Sequence, residues 1–245
     1  MGKFCAVFFD LDGTLWDNAA CSECAMELVL PRLMPYLPEG EDPAEVFVRF
    51  NAALLAAATS SGTISGPYLS TADRFEELLA GYGVEQEGLA QELSRFYNTA
   101  RRFRMRSFVR PGARAVLESL RRGGQIVGVI TNGPPAVQRY VLEALGLGPC
   151  LHHVVIGEIE RYCKPDPRLF QRALELAGIG AAEMLYVGDD PVTDVLGASR
   201  AGVATVLLRT AESEPPQGKL SYAIPAPDFV ISDLSEVLPI ARGLS

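Results

Sequence analysis

The sequence predicts an α/β fold, a doubly wound parallel sheet with a helical domain inserted after the first strand. Three observations lead there. Short unbroken apolar runs of strand length recur along the chain, helical stretches alternate with them, and the segment 17–106 is helical in pattern throughout.

"FCAVFF" (4–9) is the first run, and an unbroken apolar stretch of that length suits a strand covered by helices on both faces. Beyond it, "AMELVLPRLM", "AEVFVRFNAALLAAA", "ADRFEELLAGYG" and "LAQELSRFYNTARRF" carry Ala, Leu and Glu at helical spacing with no period-two alternation. Residues 17–106 are therefore expected to form a helical cap domain, and 1–16 with 107–245 the core. Within the core, strands are expected at "IVGVIT" (126–131), "HVVIG" (153–157), "MLYVG" (184–188), "VATVLL" (203–208) and "DFVI" (228–231). Helices are expected at "GARAVLESLRRGG", "AVQRYVLEALG", "PRLFQRALELAG" and "VTDVLGASRAG". Each has proline near its start and glycine just past its end: proline has no N–H to lose in the first turn, and glycine accepts the left-handed cap. "SEPPQGKLSYAIPAPD" (213–228) reads as a surface connection before the last strand.

Composition narrows the function classes. The 245 residues, 48% of them hydrophobic, suffice for one large domain or two unequal ones. A net charge of −8 opposes attraction to phosphate polyanions, so no nucleic-acid partner is expected. No apolar run approaches the roughly 18 residues of a membrane span, and "MGK" opens no secretory signal. The expectation is a cytoplasmic protein with no membrane partner, monomer or homodimer. Five cysteines, an odd number, fit reduced thiols, and the Cys21–Cys24 pair lacks the further ligands of a zinc site. Serine-hydrolase, P-loop and dinucleotide fingerprints are absent from the sequence.

In open α/β sheets, ligands bind beyond the carboxyl ends of the strands. Asp10 and Asp12 follow the first strand, Thr131 and Asn132 end "IVGVITN", and Asp189 and Asp190 follow "MLYVG", with Asp194 a turn further on. Lys164, in "CKPDPRLF", precedes a helix expected to begin near Pro165. Carboxylates crowded together must be protonated or neutralised, and a hard divalent cation does the latter. Mg²⁺ suits best, because it shares its remaining positions with water and phosphate oxygens. A carboxylate can also attack phosphorus, dividing one hard displacement into two through an aspartyl-phosphate. That step needs a nucleophile, a cation, donors on the equatorial oxygens and an acid for the leaving alkoxide. Asp10, Mg²⁺, Thr131 with Lys164, and Asp12 fill these roles in order. Gly13 lets the chain turn sharply with neighbouring N–H groups facing the phosphate, and Asn132 is expected at the phosphate beside Thr131.

These residues resemble the haloacid dehalogenase superfamily, in its phosphatase branch with a helical cap. "AVFFDLDGTL" matches the first motif hhhhDxDGTL, Thr131 in "VITNG" the second, Lys164 in "KPDPRLF" the third and "VGDDPVTD" the fourth, in order along the whole chain. The resemblance implies a Rossmann-like core with Asp10 as nucleophile and Asp12 as general acid and then base. It implies Mg²⁺ held by Asp10, the backbone carbonyl of Asp12 and Asp189. Asp194 would ligate directly or orient a water of the ion, with Asp190 competing for that place. Enzymes of this kind act on small phosphorylated metabolites, among them sugar phosphates, phosphoglycolate, acylneuraminate 9-phosphate and nucleotides. The expected reaction is Mg²⁺-dependent phosphomonoester hydrolysis, with the cap closing over the site to exclude bulk water and choose the leaving group.

Rival readings share the fold. A 2-haloacid dehalogenase needs no Mg²⁺ and no acid at the second position, so Asp12 and "GDDPVTD" argue against it. A phosphomutase would use the same aspartyl-phosphate and return the group to a sugar, and no motif decides between them. A phosphonate hydrolase relies on a cap lysine, and 17–99 contains none. A non-catalytic binding module would have lost part of the set, and none is lost. Plainer roles are expected for Asp17 and Asn18 as caps of the first inserted helix, and for Trp16 as hinge packing. The run "RRFRMRSFVR" (101–110) is expected to be a solvated helix end, with contact of some of its arginines to the substrate's anionic part as the sharper alternative, and His152 and His153 structural or surface groups.

Overall fold

The computed structural model describes residues 3–60, 70–210 and 224–244, with the side chains of 53–60 also left out. Most of the expected 213–228 connection lies outside the described residues. Six strands form one parallel sheet: β1 (Ala6–Phe9), β2 (Ile126–Thr131), β3 (His153–Ile156), β4 (Met184–Gly188), β5 (Ala204–Leu208) and β6 (Phe229–Ile231). Each lies where an apolar run places it. Their spatial order is β3-β2-β1-β4-β5-β6. The chain thus winds outward from β1 to β3, then returns to lay β4 on the other side of β1. Winding reverses between β1 and β4, and such a reversal opens a crevice at the carboxyl ends of the strands. Phe9, the last residue of β1, is level with Val129 and Val187, which puts Asp10 at the mouth of that crevice.

The helices, in chain order, are α1 (Asn18–Leu33), α2 (Pro43–Ser60), α3 (Thr71–Gly81), α4 (Leu89–Arg104), α5 (Ala113–Arg122), α6 (Pro135–Leu145), α7 (Gly157–Glu160), α8 (Pro167–Ala177), α9 (Gly197–Arg200) and α10 (Val237–Arg242). Two depart from expectation. The helix after Lys164 begins at Pro167, not near Pro165, because Asp166 is its N-cap and accepts the Arg168 N–H at 3.0 Å. "VTDVLGASRAG" is not one α-helix: Pro191–Leu196 form a π-helical turn, and only Gly197–Arg200 are α-helical. Single π turns of this kind recur at functional sites, and this one carries Asp194 inward to 1% exposure.

The chain divides into two compact units, Met1–Asp17 with Val109–Ser245, and Asn18–Phe108. In the first, Phe8, Ile130, Met184 and Tyr186 pack with Leu169, Phe170 and Ala173 of α8. The Phe170 ring meets Tyr186 edge-on at 4.9 Å. In the second, α1–α4 enclose Phe50, Phe75 and Tyr97, whose rings lie 4.6 Å (Phe50–Phe75) and 5.3 Å (Phe50–Tyr97) apart. Arg74 is buried among them, its guanidinium 3.7 Å from the Phe50 ring centroid and its Nη2 donating to Asn51 Oδ1 at 2.6 Å. That pairing of a cation with an aromatic face and an amide is what makes its burial tolerable. Among the described residues no helix is long and apolar enough to cross a membrane. The five cysteines are free.

Candidate active site

Four strand ends and the loops after them build the site. Asp10 follows β1 directly, and its backbone N–H donates to Val187 O at 2.8 Å, which stitches the nucleophile candidate to β4. Oxygens of Asp10, Asp189 and Asp194 lie within 4.8 Å of one another. Lys164 reaches between two of them: its Nζ donates to Asp10 Oδ1 at 2.5 Å and to Asp194 Oδ1 at 2.7 Å. Lys164 is only 3% exposed, and Asp10 6%.

The electrostatics follow from that crowding. Burial pushes Asp10 well above the ordinary carboxylate range, opposed by the Lys164 charge and aided by those of Asp194 and Asp189. For Lys164, burial alone would lower the value, but the charges and hydrogen bonds of Asp10 and Asp194 outweigh it and hold it above the ordinary lysine value. Burial and the Asp194 charge raise Asp189 to about 6, against the hydrogen bond it accepts from Thr14. Two buried carboxylates and the half-buried Asp189 thus meet one ammonium, and the surplus negative charge calls for a proton or a cation. An all-oxygen, anionic donor set of this kind suits a hard divalent ion, with Asp10, Asp189 and Asp194 as the residues to hold it.

The remaining expected residues divide. Thr131 is 1% exposed at the end of β2. Its Oγ1 lies 3.2 Å from Asn132 O, a weak local partner. Asn132 spends its side chain on the main chain of Lys164, accepting Lys164 N–H at 2.9 Å and donating to Lys164 O at 3.1 Å. It splints the lysine loop to the β2 loop. Asp190 accepts the N–H groups of Val192 and Thr193, each at 2.7 Å, and so caps the turn that carries Asp194; the acidic cluster found among the described residues does not include it. Gly13 has φ +91°, and a Cβ there would collide with the Asp189 carboxylate. Its own N–H is taken by Trp16 O at 2.9 Å, so its contribution is the space it leaves. Thr14 donates to Asp189 Oδ1 at 2.7 Å.

Four contributors escape the motif reading. Tyr186, inside the apolar run of β4, accepts from Lys164 Nζ at 3.1 Å and donates to Asp194 Oδ1 at 3.0 Å. Its signal was a hydroxyl within a strand buried on both faces, which must find a partner. Arg110 donates through Nε to Gly13 O at 2.8 Å and pairs with Asp17 at 3.8 Å, so this member of the basic run braces the Asp10 loop and is no solvated helix end. Gln138 and Trp16 both reach Asp12. His152 is structural as expected, its Nδ1 accepting the Val127 N–H. Tyr186→Phe would leave Lys164 one acceptor short in a fully buried cluster. The expected outcome is a loss of about 1–3 kcal/mol, read from urea unfolding, with fold and sheet unchanged by circular dichroism. A loss below about 0.5 kcal/mol would show the hydroxyl to be idle.

Residues 5–202 match the family described as haloacid dehalogenase-like hydrolase. The chain is 30% identical over 243 residues, 98% of its length and 94% of the other's, to a glyceraldehyde 3-phosphate phosphatase of Pyrococcus furiosus. It is 33% identical over 229 residues, 91% of its length and 87% of the other's, to a phosphoglycolate phosphatase of Rhodospirillum rubrum. Among solved structures it resembles the HAD-hydrolase YfnB of Bacillus subtilis, itself described bound to magnesium. The TM-score is 0.74 at 23% identity, over 98% of this chain and 99% of that one, a likeness of fold.

Proposed function

Because the chain belongs to the haloacid dehalogenase-like hydrolases, we propose that it is a Mg²⁺-dependent phosphomonoester hydrolase for small phosphorylated metabolites. The observation that carries the reading is the meeting of Asp10, Asp189 and Asp194 around Lys164 at the switch point of the sheet. Asp10 attacks phosphorus and becomes the aspartyl-phosphate. Lys164 and Thr131 donate to the phosphoryl oxygens, and Asp12 gives its proton to the leaving oxygen, then takes one from the attacking water. When bound, Mg²⁺ supplies the positive charge that offsets repulsion between the anionic nucleophile and the anionic phosphate, held by Asp10, Asp189, Asp194 and the Asp12 carbonyl. The unit Asn18–Phe108 is read as the cap that sets substrate choice, and the free thiols fit a cytoplasmic setting.

Two measurements test this. Purified protein should release phosphate from 4-nitrophenyl phosphate with Mg²⁺ and lose that activity in chelator. Mg²⁺ should also raise the thermal midpoint, and the sign with pH is set by Asp189. Its folded value of about 6 lies above the ordinary 3.8, so the proton-linked stability it lends is present at low pH and lost as pH rises through about 6. The metal-free protein is therefore weaker at about pH 7.5 than at about pH 5 on this account, and Mg²⁺ should stabilise it more at the higher value. A midpoint that Mg²⁺ leaves unmoved at both values would remove the metal from the proposal.

A further inference from the structure

Both oxygens of the Asp12 carboxylate are held. Trp16 Nε1 donates to Oδ1 at 2.8 Å, and Gln138 Nε2 donates to Oδ2 at 3.2 Å. The two donors reach Asp12 from different elements: Trp16 lies four residues on in the same loop, and Gln138 lies in the first turns of α6, 126 positions away.

Packing does not account for either. Gln138, 4% exposed, heads the buried stripe of α6 that Val141, Leu142 and Leu145 complete, a place where a leucine would bury without a polar debt. Among the described residues its Oε1 is buried with no hydrogen-bond partner, so the amide is kept at a cost and its Nε2 is the useful end. The loop beside it is kept bare to admit it: Gly133 has φ +105°, and a Cβ there would lie 2.7 Å from Gln138 Nε2. Trp16 is fully buried, and its backbone is pinned by bridges to Asp12 and Val109 and by the bond from Gly13 N–H to its carbonyl. A phenylalanine would keep an aromatic ring there but could not donate.

A general acid works only when its proton is within reach of the leaving oxygen, and a carboxyl on two free torsions spends little time there. Resting on the function proposed above, we propose that Gln138 and Trp16 are positioning residues that clamp Asp12 for proton transfer. Each donor takes one lone pair of one carboxyl oxygen and so fixes the plane of the group. In the first half-reaction the bond between phosphorus and the leaving oxygen breaks as Asp10 bonds to phosphorus, and the Asp12 proton moves to that oxygen. In the second, water oxygen bonds to phosphorus, the bond from phosphorus to Asp10 breaks, and Asp12 recovers a proton from the water. Atoms and charge balance without a further reactant.

The test compares two aryl phosphates of similar shape. 4-Nitrophenolate is a stable anion that leaves without a proton, whereas phenolate, with a conjugate acid near pKa 10, is helped by one. Gln138→Leu keeps side-chain bulk and Trp16→Phe keeps an aromatic ring, so both variants are expected to fold. In each, kcat/KM for phenyl phosphate should fall about 10-fold more than kcat/KM for 4-nitrophenyl phosphate, part of the ~10²–10⁴ that general acid catalysis supplies. A merely structural role would lower both substrates alike, and that result overturns the clamp. Should Trp16→Phe fail to fold, Gln138→Leu decides. Asp12→Asn separates the two levels of argument. If it discriminates between the substrates and the other two variants do not, the clamp alone is wrong. If Asp12→Asn does not discriminate, the acid assignment falls and takes the clamp with it.

Discussion

Asp10→Asn should abolish turnover of 4-nitrophenyl phosphate, by about 10⁴-fold or more, while the protein stays folded. The size of the loss follows from the role: without a nucleophile the covalent route closes, and what remains is the modest help of a site that binds and polarises. The stability side has the opposite sign. Burial holds the Asp10 carboxyl well above its ordinary range, so the folded state disfavours its charged form. An isosteric amide removes that charge, although it also weakens the 2.5 Å contact with Lys164. The thermal midpoint in chelator should therefore hold or rise while activity vanishes. The measurements are phosphate release under saturating Mg²⁺ and a thermal melt in chelator. Retention of more than about 1% of activity would mean that another group attacks phosphorus.

Lys164→Met should be the most destabilising single change in the site. The lysine is the cation at 2.5 and 2.7 Å from two buried carboxylates, with side-chain exposures of 4%, 9% and 1% for Lys164, Asp10 and Asp194. Removing one partner of a buried ion pair leaves an uncompensated charge, which costs about 3–5 kcal/mol. Here two carboxylates lose their shared partner, with Asp189 adding a third charge nearby. Urea unfolding in chelator should show the full loss, and Mg²⁺ should restore part of it, since a cation replaces the missing charge. Activity should fall even with Mg²⁺, because no ammonium is left to meet the phosphoryl oxygens. A loss below about 1 kcal/mol in chelator would mean that the carboxylates are neutralised by protons and not by Lys164.

Much of this was legible in the chain. All six strands sit on the apolar runs, because a strand buried on both faces needs an unbroken apolar stretch and little else competes for that pattern. Asp10, Thr131 and Asp189 could be placed because they stand at the ends of such runs, and strand ends in an open sheet share one edge. The stretch after Asp190 has the spacing of an α-helix but opens with a π turn, a difference that apolar spacing over so few residues does not carry. Asn132 and Asp190 were expected beside the phosphate and the ion, yet their side chains serve backbone N–H groups. A short polar side chain in a loop can bond to ligand or to main chain with equal ease, and its residue type does not tell which.

The sequence by itself determined the strands, the helical pattern of the segment 17–106, and the residue types that meet at the sheet edge, because these follow from local periodicity and from chain order. Only the tertiary structure decided who neutralises whom. That Lys164 bridges Asp10 and Asp194, that Tyr186 closes the cluster beneath them and that Gln138 and Trp16 grip Asp12 depend on distances of about 3 Å between groups up to 154 positions apart. Hydrogen bonds and buried charges act over such short ranges that their pairing is fixed by packing, and packing is a property of the whole sheet rather than of any stretch of chain.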